Sequence, residues 1–450
     1  MGDIYANAVC TIAATAAKDS RSGLFHGRSA KLLQPRRVDL DMKGSWLDDI
    51  GTELRLKGPY LYDIHYLAEK CIERAPLNQR AWVSQERQLS RRLLHFTSTQ
   101  LFWECNECQA CETYPKNLPP WARSFWSSDA TALKRCVRDL MRGEKASPGP
   151  SALAFTVQGL DHKTYWAWLT FRNQYSKAAL TYNTDKLVAI QGIVNWIRRV
   201  RDSQFIAGLW LSHIIEELCW TERYGRTGPH QPSIPKTWRA PTWSWACSDA
   251  EIQCSMLYKF HYKHANRRTE AAVVDPHVQL HMSEQSESAL LRIRCRPLLA
   301  KFTSRMIELF DSQEEPMICI LSRRGLHAVI QYYPDGGGEV LSPAPEHTYV
   351  VILQRCLHRD HFETSDGIEL FASEEGGRYS ISEDALTMQY PQTQKDLWES
   401  DGAEALAIRA VDGAANQFER IGLFSLYSPR VVRKIMRAHC LAEEKIITLV

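Results

Sequence analysis

A change of hydrophobic period most constrains what this chain can fold into. From Tyr165 to Tyr224 apolar residues recur three and four apart, as in "YWAWLTFRNQYSKAALT", "DKLVAIQGIVNWIRRVRD" and "FIAGLWLSHIIEELCW". Beyond about residue 250 the apolar runs are short and rich in β-branched and aromatic residues: "ALLRIRCRPLLAKF", "MICILSRRG", "HTYVVILQRC", "RIGLFSL", "KIITLV". Turn signals such as "PDGGG" separate them. The fold class is therefore α+β, with helices collected before a β-rich tail that reads as a small sandwich or barrel. The Pro- and Ser-rich residues 112–164 read as an irregular linker. The divisions expected are 1–111, the linker, a helical region 165–250 and a β-rich domain 251–450.

The stretch "APLNQRAWVSQERQLSRRLLHFTSTQLFWEC", Ala75 to Cys105, carries the densest local signals. Asn78 is placed to cap a helix running from Gln79 to Leu89, with Leu77 and Trp82 as a hydrophobic staple. "RLLHF" and "QLFWEC" follow as two strands joined by Thr97, Ser98 and Thr99. Trp82, Glu86 and Leu89 lie at i, i+4 and i+7, so a core-facing stripe draws the Glu86 carboxylate inward. A buried carboxylate must be paired, hydrogen-bonded or neutral. Arg80, Arg87 and Arg92 are its partners near in sequence. The structural reading of Glu86 is an ion pair that fixes the fold; the functional reading is a catalytic or ligand-holding acid. Further on, Asn183, Thr184 and Asp185 are cap candidates for the next helices.

Other patterns narrow the chemistry. "CNECQAC" sets Cys105, Cys108 and Cys111 at two Cys-Xaa-Xaa-Cys spacings, but a zinc site needs a fourth ligand, and Cys136 and His162 have no paired partner at ligand spacing. The expectation is no bound metal. His358 and His361 of "HRDH" read as solvated or packing histidines, and "PDGGGEV" as a hairpin turn, since it has no following Lys-Ser/Thr or helix. No GxGxxG, GxSxG or HExxH occurs. With 55 basic and 52 acidic residues the net charge is +3, which argues against nucleic acid or an anionic membrane as partner. Thirteen cysteines, an odd number, fit reduced thiols and a cytoplasmic setting better than a disulfide framework. The N-terminal "MGDIYANAVCTIAATAA" has small apolar residues but no basic start, and it carries Asp3, so it reads as part of the fold.

These motifs resemble the heterokaryon incompatibility (HET) domain family of filamentous fungi. The pattern Arg-Xaa-Trp-Xaa-Xaa-Gln-Glu followed by a hairpin is carried by Arg80, Trp82, Gln85, Glu86, Phe102, Trp103, Glu104 and Cys105. "DIYANAVCTIAATAAKDSRSGLF" before it, and "LTYNTDKLVAIQGI", "FIAGLW", "RAPTWSWA" and "RIGLF" after it, have the same look. The resemblance implies a partial α/β domain at the N-terminus. The family's opening Tyr-Xaa-Trp-Gly and Cys-Ile-Asn-Gln segments are missing, so the chain is expected to be an N-terminally truncated member or an incomplete gene product, short of central strands. The resemblance also implies non-self recognition and programmed cell death after incompatible hyphal fusion, with the chain as an interaction module that binds protein partners and needs no cofactor. The family has been likened to Toll/interleukin-1 receptor domains, which implies, as an alternative, an NAD-cleaving enzyme using Glu86. A zinc-bearing nucleic-acid binder is the third reading.

Overall fold

The computed structural model describes residues 2–28, 36–47, 53–62, 69–118, 132–142, 162–201, 203–222, 235, 237–253, 267–269, 272–275, 281–283, 286–288, 290–302, 306–310, 316–321, 330–335, 348–356, 373–375, 378–380, 402–426 and 429–450. Helices and sheets are both present, and the α+β class holds. The chain divides into two compact units, Met1–Ala146 with Asp161–Val200, and Ser147–Leu160 with Arg201–Val450. The stretch expected as one helical region, 165–250, is thus shared between them.

In the first unit, α1 (Gly2–Asn7) leads into β1 (Thr11–Ala13); β2 (Arg36–Leu47) and β3 (Glu53–Tyr62) form an antiparallel ribbon. Next come α2 (Ala81–Leu89), β4 (Arg92–Phe96), β5 (Leu101–Cys105) and β6 (Gln109–Cys111), then α3 (Ala132–Met141), α4 (His162–Ser176) and α5 (Gln191–Arg198). The sheet order is β1-β4-β5-β6, with β1 parallel to β4 and the other pairs antiparallel. The expected hairpin is β4–β5, with Arg92 opposite Cys105 and Phe96 opposite Leu101. Its loop is Thr97–Gln100, one residue longer than expected. It closes without glycine because the Thr97 hydroxyl donates to Gln100 O at 2.6 Å and accepts from Gln100 N at 3.2 Å.

Two cap expectations are corrected. The helix begins at Ala81, after a single tight turn Pro76–Gln79, and Arg80 is its N-cap with no side-chain bond. Asn78 instead donates its amide to Ile72 O at 2.8 Å, which secures the preceding segment. Asn183–Lys186 form a 3-10 turn with no side-chain cap, and α5 starts later, at Gln191.

The second unit holds an eleven-stranded sheet among its described residues. While His281–Ser283 with Ser286–Ser288 and Ser373–Glu375 with Arg378–Ser380 pair as separate hairpins, most of the tail's described strands thus join by hydrogen bonds into one branched sheet. At its centre run Thr348–Cys356, Gly402–Ala410 and Gln417–Leu426. Helix Pro429–Leu441 lays Val432, Ile435, Met436 and Ala438 on Ala403, Ala405, Ala407, Phe424 and Leu426. The alanines give that sheet face small side chains for the helix to pack on. Burying each of its large side chains is worth about 1.5–3 kcal/mol. The turn residues Gly336–Gly338 and the histidines His358 and His361 lie outside the described residues.

Candidate functional site

Among the described residues of the N-terminal unit the buried carboxylate is Glu104, whereas Glu86, expected to be drawn inward, is half-buried. In α2 the residues turned inside are Ala81, Val83, Gln85, Arg87, Gln88 and Leu89; Trp82 and Glu86 are half-buried. The helix is enclosed by more than one neighbour, so its buried face is wider than a single i, i+4, i+7 stripe. On the sheet, alternation along β5 turns Phe102 and Glu104 inward, and along β4 it turns Leu93 and His95 the same way.

Four charged groups close around this point. Arg87 donates to Glu104 Oε2 from Nε at 2.9 Å and from Nη2 at 2.7 Å. It also forks onto Glu73 at 3.1 and 3.0 Å. Lys134 of α3 donates to Glu104 Oε1 at 3.0 Å. Two cations therefore face two carboxylates, and His95 Nε2 stands 3.6 Å from Glu104 Oε2. Burial alone would raise the Glu104 pKa, but Arg87 and Lys134 outweigh it and hold the carboxyl well below its ordinary value. Burial lowers His95, with Glu104 opposing, and its Nδ1 shares a 2.9 Å bond with the Thr15 hydroxyl. Glu104 is committed to these neighbours, and the cluster ties α2, β5 and α3 together.

The Arg-Xaa-Trp-Xaa-Xaa-Gln-Glu residues work differently: each reaches another segment. Arg80 forms a parallel bridge with Ala179 through its backbone, flanked by Ala81 N to Ala179 O at 2.9 Å and Ala179 N to Gln79 O at 2.7 Å. The Trp82 indole donates to Asp185 at 3.2 Å. Gln85 Oε1 accepts from Gly192 N at 2.6 Å, so it satisfies an open N–H at the start of α5. The Glu86 carboxylate hydrogen-bonds Tyr5; burial first, and then Glu86, push that phenol up to about 12. Through Arg80, Trp82 and Gln85 the motif is a clasp between α2 and the stretch from Ala179 through "LTYNTDKLVAIQGI" (180–193), and through Glu86 it reaches Tyr5. Phe102 packs with Cys71, Ile72, Cys111 and Leu118.

Cys105 and Cys108 face each other across the turn after β5, with Sγ atoms 3.7 Å apart. Cys111 lies in the Phe102 cluster instead. Among the described residues no group of three or more His, Cys, Asp or Glu side chains is gathered as a metal site would require. No helix among them is long and apolar enough to cross a membrane.

The second unit explains why "FIAGLW", "TWSW" and "RIGLF" occur together. Phe205–Ile206 and Leu209–Trp210 pair around a two-residue turn in which Ala207 and Gly208 have φ of 46° and 95°. Positive φ at both central residues fits the right-handed twist of a tight hairpin, and glycine takes it without strain. Ser244 donates to Ala207 O at 2.5 Å and Trp245 Nε1 to Gly208 O at 2.8 Å. Arg420 of "RIGLF" is fully buried. It donates to Leu218 O at 2.5 Å, to Trp220 O at 2.6 Å and to Asp335 at 2.8 Å, and its guanidinium lies 3.7 Å over the Trp220 ring.

Sequence reading singled out Glu104 only as a motif residue and missed Lys134, His95 and Glu73. Strict alternation in "LLHF" and "LFWE" was the signal for Glu104 and His95; nothing local announces Lys134. Comparison with known proteins gives one family: residues 1–86 match the model described as Heterokaryon incompatibility protein (HET). No curated protein and no solved structure matches the chain. The similarity to that family's model ends at Glu86, the last residue of the clasp motif.

Proposed function

We propose that this chain acts in heterokaryon incompatibility as an interaction module, binding a protein partner of non-self recognition and passing the event to a cell-death response. The observation that carries the reading is the surface of the matched segment. Ile4, Val9, Ile12 and Phe25 are 72%, 79%, 61% and 86% exposed, and β1, which holds Ile12, ends the described sheet. Large apolar side chains beside a sheet edge suit a protein partner that adds a strand and covers them. Replacing Ile4, Val9 and Ile12 by serine in the full chain tests this in a hyphal-fusion assay with vital staining. Death at the contact zone is lost while the thermal midpoint is kept. An undiminished response in that variant sinks the reading.

A second reading, NAD cleavage at Glu86, has one geometric point in its favour. Glu86 is half-buried and bonded to Tyr5, whereas Glu104 is locked by two cations. Nicotinamide released from NAD by the full chain, and abolished by Glu86→Gln, supports it; no release from the unmodified chain removes it.

A further inference from the structure

The turn Cys105–Cys108 lies outside the residues matched to the family and outside the charge cluster's own bonds, yet its geometry is that of a reactive dithiol. It joins β5 to β6 through Asn106 and Glu107, with Cys105 N donating to Cys108 O at 3.0 Å. The two sulfurs are in van der Waals contact at 3.7 Å, and both residues are partly exposed. The backbone N–H groups of Glu107 and Cys108 point at Cys105 Sγ, at 3.4 and 3.3 Å. The Trp103 side chain and the Cys108 thiol add hydrogen bonds to the same sulfur.

Such donors favour the thiolate over the thiol. Burial raises the Cys105 pKa, but these donors together bring it below its ordinary value. Lys134 interacts electrostatically with Cys105, and Arg138, from the same helix α3, donates to Asn106 O within the turn. These donors mark Cys105 as the attacking sulfur, and Cys108, with its sulfur 3.7 Å away, stands where a resolving one is needed.

We propose that Cys105 and Cys108 form a thiol–disulfide exchange site whose substrate is a low-molecular-weight disulfide of the glutathione type. The Cys105 thiolate attacks one sulfur of the small disulfide; that S–S bond breaks, and the first small thiolate leaves and takes a proton from water. The Cys108 thiol then gives its proton to solvent and attacks Cys105 Sγ in the mixed disulfide. The second small thiolate departs and is protonated. Two protein thiols are oxidised to one disulfide, and one small disulfide is reduced to two thiols.

The test uses the full chain in reduced/oxidised glutathione mixtures, quenched by alkylation and read by peptide mass. The peptide holding Cys105 and Cys108 passes from two alkylated thiols to one internal disulfide within the range those mixtures span. In the reduced chain Cys105 alkylates at neutral pH at least about tenfold faster than the exposed thiols Cys10 and Cys440. Cys108→Ser traps glutathione on Cys105, whereas Cys105→Ser leaves Cys108 unmodified. A pair that stays reduced throughout overturns the proposal, as does trapping on Cys108 or reactivity no greater than that of Cys10. The titration and rate comparison need no variant, so they decide even if a substitution unfolds the chain.

Discussion

Each unit of the molecule buries an arginine, and they satisfy it in different currencies. Arg87 is met by two carboxylates, with Lys134 and His95 crowding the same point. Arg420 is met by two backbone carbonyls, one aspartate and an indole face. The first arginine is bonded by two titratable carboxylates, whereas of the second's four partners only Asp335 titrates. Both join segments far apart in sequence, but the first unit's junction depends on protonation and on charge balance, while the second's depends on carbonyl geometry.

The largest effect separating the two comes from Glu104→Ala. It leaves Arg87 short of a partner and Lys134 with none of the Glu104 bonds, both in a dry interior, and breaking a buried ion network this way costs about 3–5 kcal/mol. Hydrogen exchange on the full chain reads it by region: protection falls across Ala81–Met141 and stays in Gly402–Leu426. Replacing Arg87 and Lys134 by methionine alongside Glu104→Leu and Glu73→Gln recovers much of the loss, since a cluster of like volume without charges has no ionic desolvation penalty to offset.

Next in size is Arg420→Lys, expected to cost about 2–4 kcal/mol, because an ammonium cannot span both carbonyls and Asp335 and leaves a buried acceptor unpaired. Here the exchange pattern inverts: protection is lost around Leu218–Trp220 and Gln417–Leu426 and kept in β4–β5. Equal loss in both units from either substitution would break the comparison.

The two variants also mark the limit of what the sequence made legible. The β4–β5 hairpin could be read because alternation and a turn lie within fourteen residues. Glu104 was within reach of the same alternation, but a helical stripe pointed to Glu86. That stripe presumed one buried face, and α2 has a wider one. Lys134, thirty residues beyond Glu104, and Asp335, eighty-five before Arg420, carry no local signal. Only the folded chain brings them in. Asn78 looked like a cap by residue type, yet the earlier carbonyl of Ile72 competed for its amide.

Acid should sharpen the comparison further. Burial lowers the His95 pKa below the unfolded value of about 6.5. Its contribution is full above that value and is lost as pH falls toward the folded one, because only the unfolded chain protonates readily. Glu104 adds a second loss below its unfolded value of about 4.3, as pH falls toward its depressed folded pKa. In the other unit burial raises Asp335, with Arg420 opposing, so its ionisation opposes folding at neutral pH and acid relieves it. Exchange followed from pH 7 to 4 should therefore show the N-terminal unit loosening first. His95→Gln flattens the upper part of that decline.

The smallest effect tests the clasp itself. A Cβ added at Gly192 would stand 2.5 Å from Gln85 Oε1 and 3.2 Å from Leu89 Cδ1. The obstructing oxygen ends a flexible side chain, so Gln85 can swing away, but the bond to Gly192 N is then lost inside a part-buried contact. Gly192→Ala is therefore expected to cost only about 1 kcal/mol, the loss of one hydrogen bond offset by the helix propensity of alanine. In a Gln85→Ala background only the 3.2 Å approach to Leu89 Cδ1 remains to offset the propensity gain, so the same substitution becomes about neutral. Urea midpoints for the four members of this cycle give the coupling directly. A coupling near zero would mean that Gln85 and Gly192 are neighbours without being partners, and the clasp would reduce to Trp82 with Asp185 and the bridge at Arg80.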